Sequence, residues 1–169
     1  MVPMPNYTWY ILLSLIGLII LFSTFIFKKH EFKRVLSVYL FISGLSFILD
    51  FIILICFNAY AYIPGVFDKE WLDNVLGSFT SQGIAVPSAA VFVAAFQLNW
   101  AWIFLVSAVL AGVELTFLQM DIYVHHWWHT VYTALLLPVG FRLARLWYNF
   151  MAVPKKARSE EHTSELQSP

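Results

Sequence analysis

Three histidines and two tryptophans fall between His125 and His129, inside the stretch DIYVHHWWHTVYT that runs from Asp121 to Thr133. Imidazole ligates divalent metals when neutral and titrates near neutral pH, so such a cluster could bind a metal or pass a proton. On a helix, His125 and His129 stand four residues apart and His126 and His129 three apart, and either pair would share a face. A zinc site ordinarily takes three or four ligands, and no H-E-x-x-H occurs here.

Two carboxylates widen the possibilities. Asp50 and Glu114 each sit in a long apolar run. At membrane depth an ionisable group costs on the order of 3 kcal/mol on insertion scales, so it faces protein or water and often serves a function. With two of the histidines these carboxylates make a mixed nitrogen and oxygen set for a first-row divalent metal. Without a metal the same groups make a proton relay. A helix continuing past Gln119 would place Glu114, Asp121 and His125 on one face. The candidate polar cluster is therefore Asp50, Glu114, Asp121, His125, His126 and His129, with His125, His126 and His129 as candidate metal ligands and a divalent metal as the candidate cofactor. The structural alternative stands beside it. Histidine and tryptophan are ordinary interfacial anchors, Asp50 could satisfy a helix–helix hydrogen bond, and Glu114 could pair internally with a histidine.

The elements that would position these groups are set by composition. Of 169 residues, 60% are hydrophobic and 12% charged, against about 25% charged in a soluble domain. The apolar residues come in long runs, which points to lipid as the solvent. The spacing predicts an all-α membrane bundle of five transmembrane helices, over about 7–27, 35–57, 84–98, 101–119 and 128–148, in a single domain covering 1–157. A short interfacial helix is predicted over 66–79, where Val66, Phe67, Trp71, Leu72, Val75, Leu76 and Phe79 recur at helical spacing among charges, after a turn at Pro64-Gly65. The stretch from Ile84 to Leu118 is too long for one crossing, at about 52 Å as a straight helix, and QLNW at 97–100 is its break. The first half of that hairpin is rich in alanine and serine, which suits a central helix. Pro87 falls in that helix's first turn, and Pro138 is expected to kink the last helix.

Charge placement orients the bundle. With the N-terminus outside, Lys28, Lys29, Lys33, Arg34, Arg142, Arg145, Lys155 and Lys156 fall on the cytoplasmic side and Lys69 alone outside, as the positive-inside rule requires. Arg142 and Arg145 are expected to snorkel to headgroups. The single cysteine, Cys56, excludes an intrachain disulfide, and it lies in an apolar run where it reads as a small core residue. No P-loop, G-x-G-x-x-G, C-x-x-C, G-x-S-x-G or basic stripe occurs, so nucleic acid is not an expected partner. The expected partners are the lipid bilayer and a membrane protein or a second copy of the chain.

Two resemblances complete the reading. Residues 158–169, RSEEHTSELQSP, resemble the translation of a sequencing-library adapter, which implies a non-native, disordered tail and a native C-terminus not represented here. Setting the tail aside removes one of ten basic and three of ten acidic residues and leaves a formal charge of +2. The segment AGVELTFLQMDIYVHHWWHTVYTALLLPVGFRLARLW, Ala111 to Trp147, resembles a family of small multi-pass membrane proteins of spore-forming Gram-positive bacteria. The resemblance is carried by Gly112-Val113-Glu114, the His125–Trp128 stretch, Leu137-Pro138, and Arg142 with Arg145. Asp50 and Pro87 match by position, although Leu49 stands where the family commonly has glycine. It implies a helical bundle in the cytoplasmic membrane and no particular activity.

Three functions remain open at this stage. The first is a small non-enzymatic scaffold, sensor or accessory subunit with an outer ion- or proton-binding cluster. The second is a metal-assisted hydrolase acting at the outer leaflet, with histidine ligands and Glu114 or Asp50 as base. The third is a proton-coupled transporter subunit with Asp50 and Glu114 as relay.

Overall fold

The structure, a computed structural model, describes residues 6–63, 66–67 and 69–152. The expected turn at Pro64-Gly65, Lys155, Lys156 and the tail 158–169 lie outside the described residues.

The chain is all-α apart from one short ribbon. Helix α1 is Asn6–Phe27, and α2 is Phe32–Asp50, extended by a π-helical segment, Phe51–Cys56. Strand β1 is Tyr60–Tyr62. Helix α3, Glu70–Ser78, runs through a second π segment, Phe79–Ala85, into α4, Val86–Ala95. Helix α5 is Trp100–Gln119, strand β2 is Tyr123–His125, and α6 is Thr130–Phe150. Among the described residues four rods are long and apolar enough to cross a membrane, namely Tyr7–Phe27, Lys29–Cys56, Trp71–Ala95 and Trp100–Gln119. Helix α6 is of similar length, carries Arg142 and Arg145, and packs against α2, α4 and α5 as the fifth member of the bundle.

The interfacial helix expected over 66–79 is not a separate element. Its residues from Glu70 onward form the first turns of the same rod that ends at Ala95. The reason is Asp73, which turns inward rather than to water: it is fully buried and accepts hydrogen bonds from the backbone N–H of Val66 (3.1 Å) and Phe67 (3.3 Å). The third rod is accordingly the most buried, and it holds the centre of the bundle. Ala89, Ala90, Val93, Ala94 and Ala95 are buried there against α1, α2 and α6, as small residues permit in lipid. The hairpin break matches expectation, with Asn99 capping α5 through its side-chain oxygen on the N–H of Trp102.

The two ends of the bundle differ. At the end holding the α1–α2 and α4–α5 turns, Arg34 ion-pairs with Glu31 and donates to the Tyr148 carbonyl, while the Tyr148 hydroxyl donates to Glu31 (2.7 Å). Arg145 donates to the Leu98 carbonyl (2.8 Å) and to Gln97 (3.1 Å), so it ties α6 to the α4–α5 turn instead of merely reaching for headgroups. At the other end, β1 and β2 pair antiparallel with Tyr60 opposite His125, Ala61 opposite Val124 and Tyr62 opposite Tyr123. Strand side chains alternate in direction. Tyr60, Tyr62 and Tyr123 are therefore buried and His125 partly buried on the inner face, while Val124 is exposed on the outer one.

Candidate functional site

Asp50 closes the α part of α2, and Glu114 lies five residues before the end of α5. Both line one cavity of about 210 Å³ in the half of the bundle that carries the ribbon. The walls come from α1 (Tyr10), α2 (Leu49), the second π segment (Thr80, Ser81, Gln82), α5 (Phe117) and α6 (Leu136), and the ribbon adds Tyr60, Tyr62 and Tyr123. Among the described residues the lining stops at Ile42 and Phe141, where the alanine-packed core around α4 begins.

Each carboxylate has a defined partner. Asp50 is 5% exposed and accepts a hydrogen bond from the Tyr60 hydroxyl. The buried Ser78 hydroxyl lies beside it. Glu114 pairs with His125 (Oε1 to Nε2, 2.9 Å) and accepts from the Thr130 hydroxyl (3.1 Å). Burial first, and then the nearby carboxylates and phenols, push the Tyr60 and Tyr123 hydroxyls far above the ordinary tyrosine range. The Tyr62 hydroxyl is raised in the same way, by burial and then by Asp50, against the lowering effect of its contact with Ser81. At neutral pH these three phenols are therefore protonated and uncharged. The Tyr10 hydroxyl is buried on the cavity wall with no hydrogen-bond partner among the described residues.

Both π segments adjoin this site. One follows Asp50 directly and the other supplies Thr80, Ser81 and Gln82. A π turn inserts a residue and offsets the backbone hydrogen-bond ladder, and such turns recur at functional sites. Here the Gly83 carbonyl of the second segment receives the Tyr39 hydroxyl (2.7 Å).

The structure brings Asp50, Glu114 and His125 to one region and leaves Asp121, His126 and His129 exposed. The helix does not continue past Gln119. Asp121 has a φ of 52°, and the turn it makes ends α5; aspartate tolerates this left-handed conformation better than most residues. His125 then lies on β2 and His129 precedes α6 in extended conformation, so the pairs expected at helical spacing do not form. Among the described residues no group of three or more His, Cys, Asp or Glu could hold a metal ion, which removes the His125, His126 and His129 ligand set. The two tryptophans have structural duties instead. Trp127 donates its indole N–H to the Phe57 carbonyl (2.9 Å), and buried Trp128 donates to the Thr133 hydroxyl (2.9 Å). The Ala59 carbonyl collects the backbone N–H groups of His126, Trp127 and Trp128. Cys56 is exposed on the first π segment, not in the core.

The tyrosines of the ribbon are the part of the site that sequence reasoning missed. Tyr60 and Tyr62 pass for interfacial anchors in the sequence. Their signal was the alternation in Tyr60-Ala61-Tyr62 and Tyr123-Val124-His125, a period of two that suits a strand. No family profile, curated protein or solved structure matches this chain.

Proposed function

We propose that this chain is a small, non-enzymatic protein of the bacterial cytoplasmic membrane, a sensor or accessory subunit that holds a proton or a cation on Asp50 and Glu114. One observation carries the reading: two carboxylates from different helices face a single cavity whose walls are mostly apolar and aromatic. A carboxyl group at that depth is kept neutral by a proton or balanced by a cation, and either state can be read out by neighbouring groups. The dense packing below Ile42 and Phe141 favours binding over passage through the chain.

All five helices cross the bilayer in this reading. Among the described residues, Lys28, Lys29, Lys33, Arg34, Arg142 and Arg145 then share the cytoplasmic end, and Lys69 lies outside near the ribbon. The resemblance of Ala111–Trp147 to membrane proteins of spore-forming bacteria agrees with this location, and the adapter-like tail is taken as foreign to the native protein.

A hydrophobic carbodiimide tests the site, because it modifies protonated carboxyl groups in apolar surroundings. Detergent-solubilised protein treated with dicyclohexylcarbodiimide should gain an adduct that peptide mass spectrometry places on Asp50 or Glu114. The adduct should diminish as pH rises and be lost in Asp50→Asn with Glu114→Gln. Labelling confined to other carboxyl groups would remove the proposal.

A further inference from the structure

We infer that the cavity takes an amphipathic organic ammonium, with its cationic end against Asp50 and Glu114 among tyrosine rings and its hydrocarbon end reaching lipid between α2 and α6. This rests on the binding role proposed above and adds the class of ligand.

Charge gives the sign. Among the described residues the lining contains no lysine or arginine. Glu114 has His125 beside it, whereas Asp50 has hydroxyl neighbours and no cationic partner among the described residues. An ionised carboxylate in that position is costly unless a positive charge joins it.

The rings give the chemical type. Tyr60, Tyr62 and Tyr123 form a mutual cluster with centroids 5.0 to 6.4 Å apart, and Tyr10 lies 6.2 Å from Tyr62. Electron-rich ring faces attract alkylammonium groups, which shed water more readily than small metal cations. The Tyr10 hydroxyl is an independent sign that something occupies the space. It is 2% exposed, lines the cavity and has no hydrogen-bond partner among the described residues, although buried polar groups are normally satisfied.

The walls give the tail. Leu49 of α2 and Leu136 of α6 line the cavity and are also 45% and 49% exposed, so the cavity reaches the side of the bundle. The tight side-chain contacts between these helices lie toward the opposite end, where Arg34 meets Tyr148, Trp147 donates to Ser37, and Phe41 stacks on Trp147. The volume, about 210 Å³, exceeds the roughly 150 Å³ that accommodates benzene in an engineered cavity, and suits a trimethylammonium head with its first methylenes. A zwitterionic phospholipid amine fits less well, because its phosphate would find no basic side chain in the lining.

Equilibrium dialysis of octyltrimethylammonium against the protein in maltoside micelles tests this. Saturable binding is expected in the wild type, at least about tenfold weaker in Asp50→Asn. Octanoate and lysophosphatidylethanolamine should show no comparable binding. Should Asp50→Asn fail to elute as a folded species, Leu136→Trp, which crowds the lateral opening from a lipid-facing position, should weaken binding instead. Absence of saturable ammonium binding, equal binding of octanoate or the lysolipid, or undiminished binding in the variants would overturn the inference. Carbodiimide labelling of Asp50 without ammonium binding would leave the proton site standing and reject only the ligand class; loss of both would reject both.

Discussion

Asp73 and Asp50 show how two aspartates of similar burial differ in kind. Asp73 accepts from two backbone N–H groups and so fixes the loop before α3. Asp73→Ala should lower stability by about 2 kcal/mol, since it strands two donors; Asp73→Asn, which keeps one acceptor, should lose less, and thermal unfolding in detergent would rank them. Asp50 faces the cavity with one hydroxyl partner, Tyr60, so its substitution should affect binding more than folding. The tyrosines carry a pH signature. Their folded values lie above the ordinary value of 10.0. Above that pH the unfolded chain releases these protons while the folded chain retains them, so stability is fully present below about pH 10 and declines as pH rises further. Absorbance near 295 nm at about pH 11 should show Tyr60, Tyr62 and Tyr123 still protonated in the folded protein and ionising on denaturation. Ionisation of all eight tyrosines in the folded protein would contradict the burial.

At the scale of elements, close approach is the theme. A Cβ on Gly77 would meet the Tyr62 ring at 2.4 Å, so α3 and the ribbon touch only because that position is glycine. Gly77→Ala is expected to cost about 1–3 kcal/mol through overpacking and to loosen the ribbon, visible as faster amide exchange over 60–62 and 123–125. On Gly17 a Cβ would meet one methyl, Ile84 Cγ2, at 2.8 Å, a milder clash than the Tyr62 ring, so Gly17→Ala should cost less. The reverse order would show that α1, not the ribbon, is the tighter joint. The helices themselves were largely legible. The runs expected at 7–27, 101–119 and 128–148 are α1, α5 and α6 to within a few residues, because in lipid every backbone group must bond within its own segment. The rod from Glu70 to Ala95 was not legible. Its polar middle, Phe79-Thr-Ser-Gln-Gly83, reads as a loop locally but is a π turn whose hydroxyl and amide groups face a cavity.

For the molecule as a whole, the asymmetry of its ends is the testable property. In a Cys56→Ala background, Lys69→Cys should react with an impermeant maleimide in intact cells, and Lys33→Cys only after permeabilisation. Equal labelling of both would reject the five-crossing topology and, with it, the outer placement of the cavity. The same asymmetry explains the two cores. One is built mainly of alanine and valine around α4, and the other mainly of aromatic residues, tyrosine above all, under the ribbon.

Hydropathy and charge alone determined that this is a bundle of helices apolar enough to cross a membrane, and where most of those helices lie, because transfer from water to lipid acts on each segment independently. Tertiary structure decided which polar groups meet. Asp50 and Glu114 are 64 positions apart in sequence, and no local period could place them in one cavity. The histidine cluster failed as a unit for the same reason. A left-handed turn at Asp121 and the pairing of β1 with β2 sent His125 inward and left His126 and His129 exposed, and a period of two within a strand does not say which distant strand it pairs with.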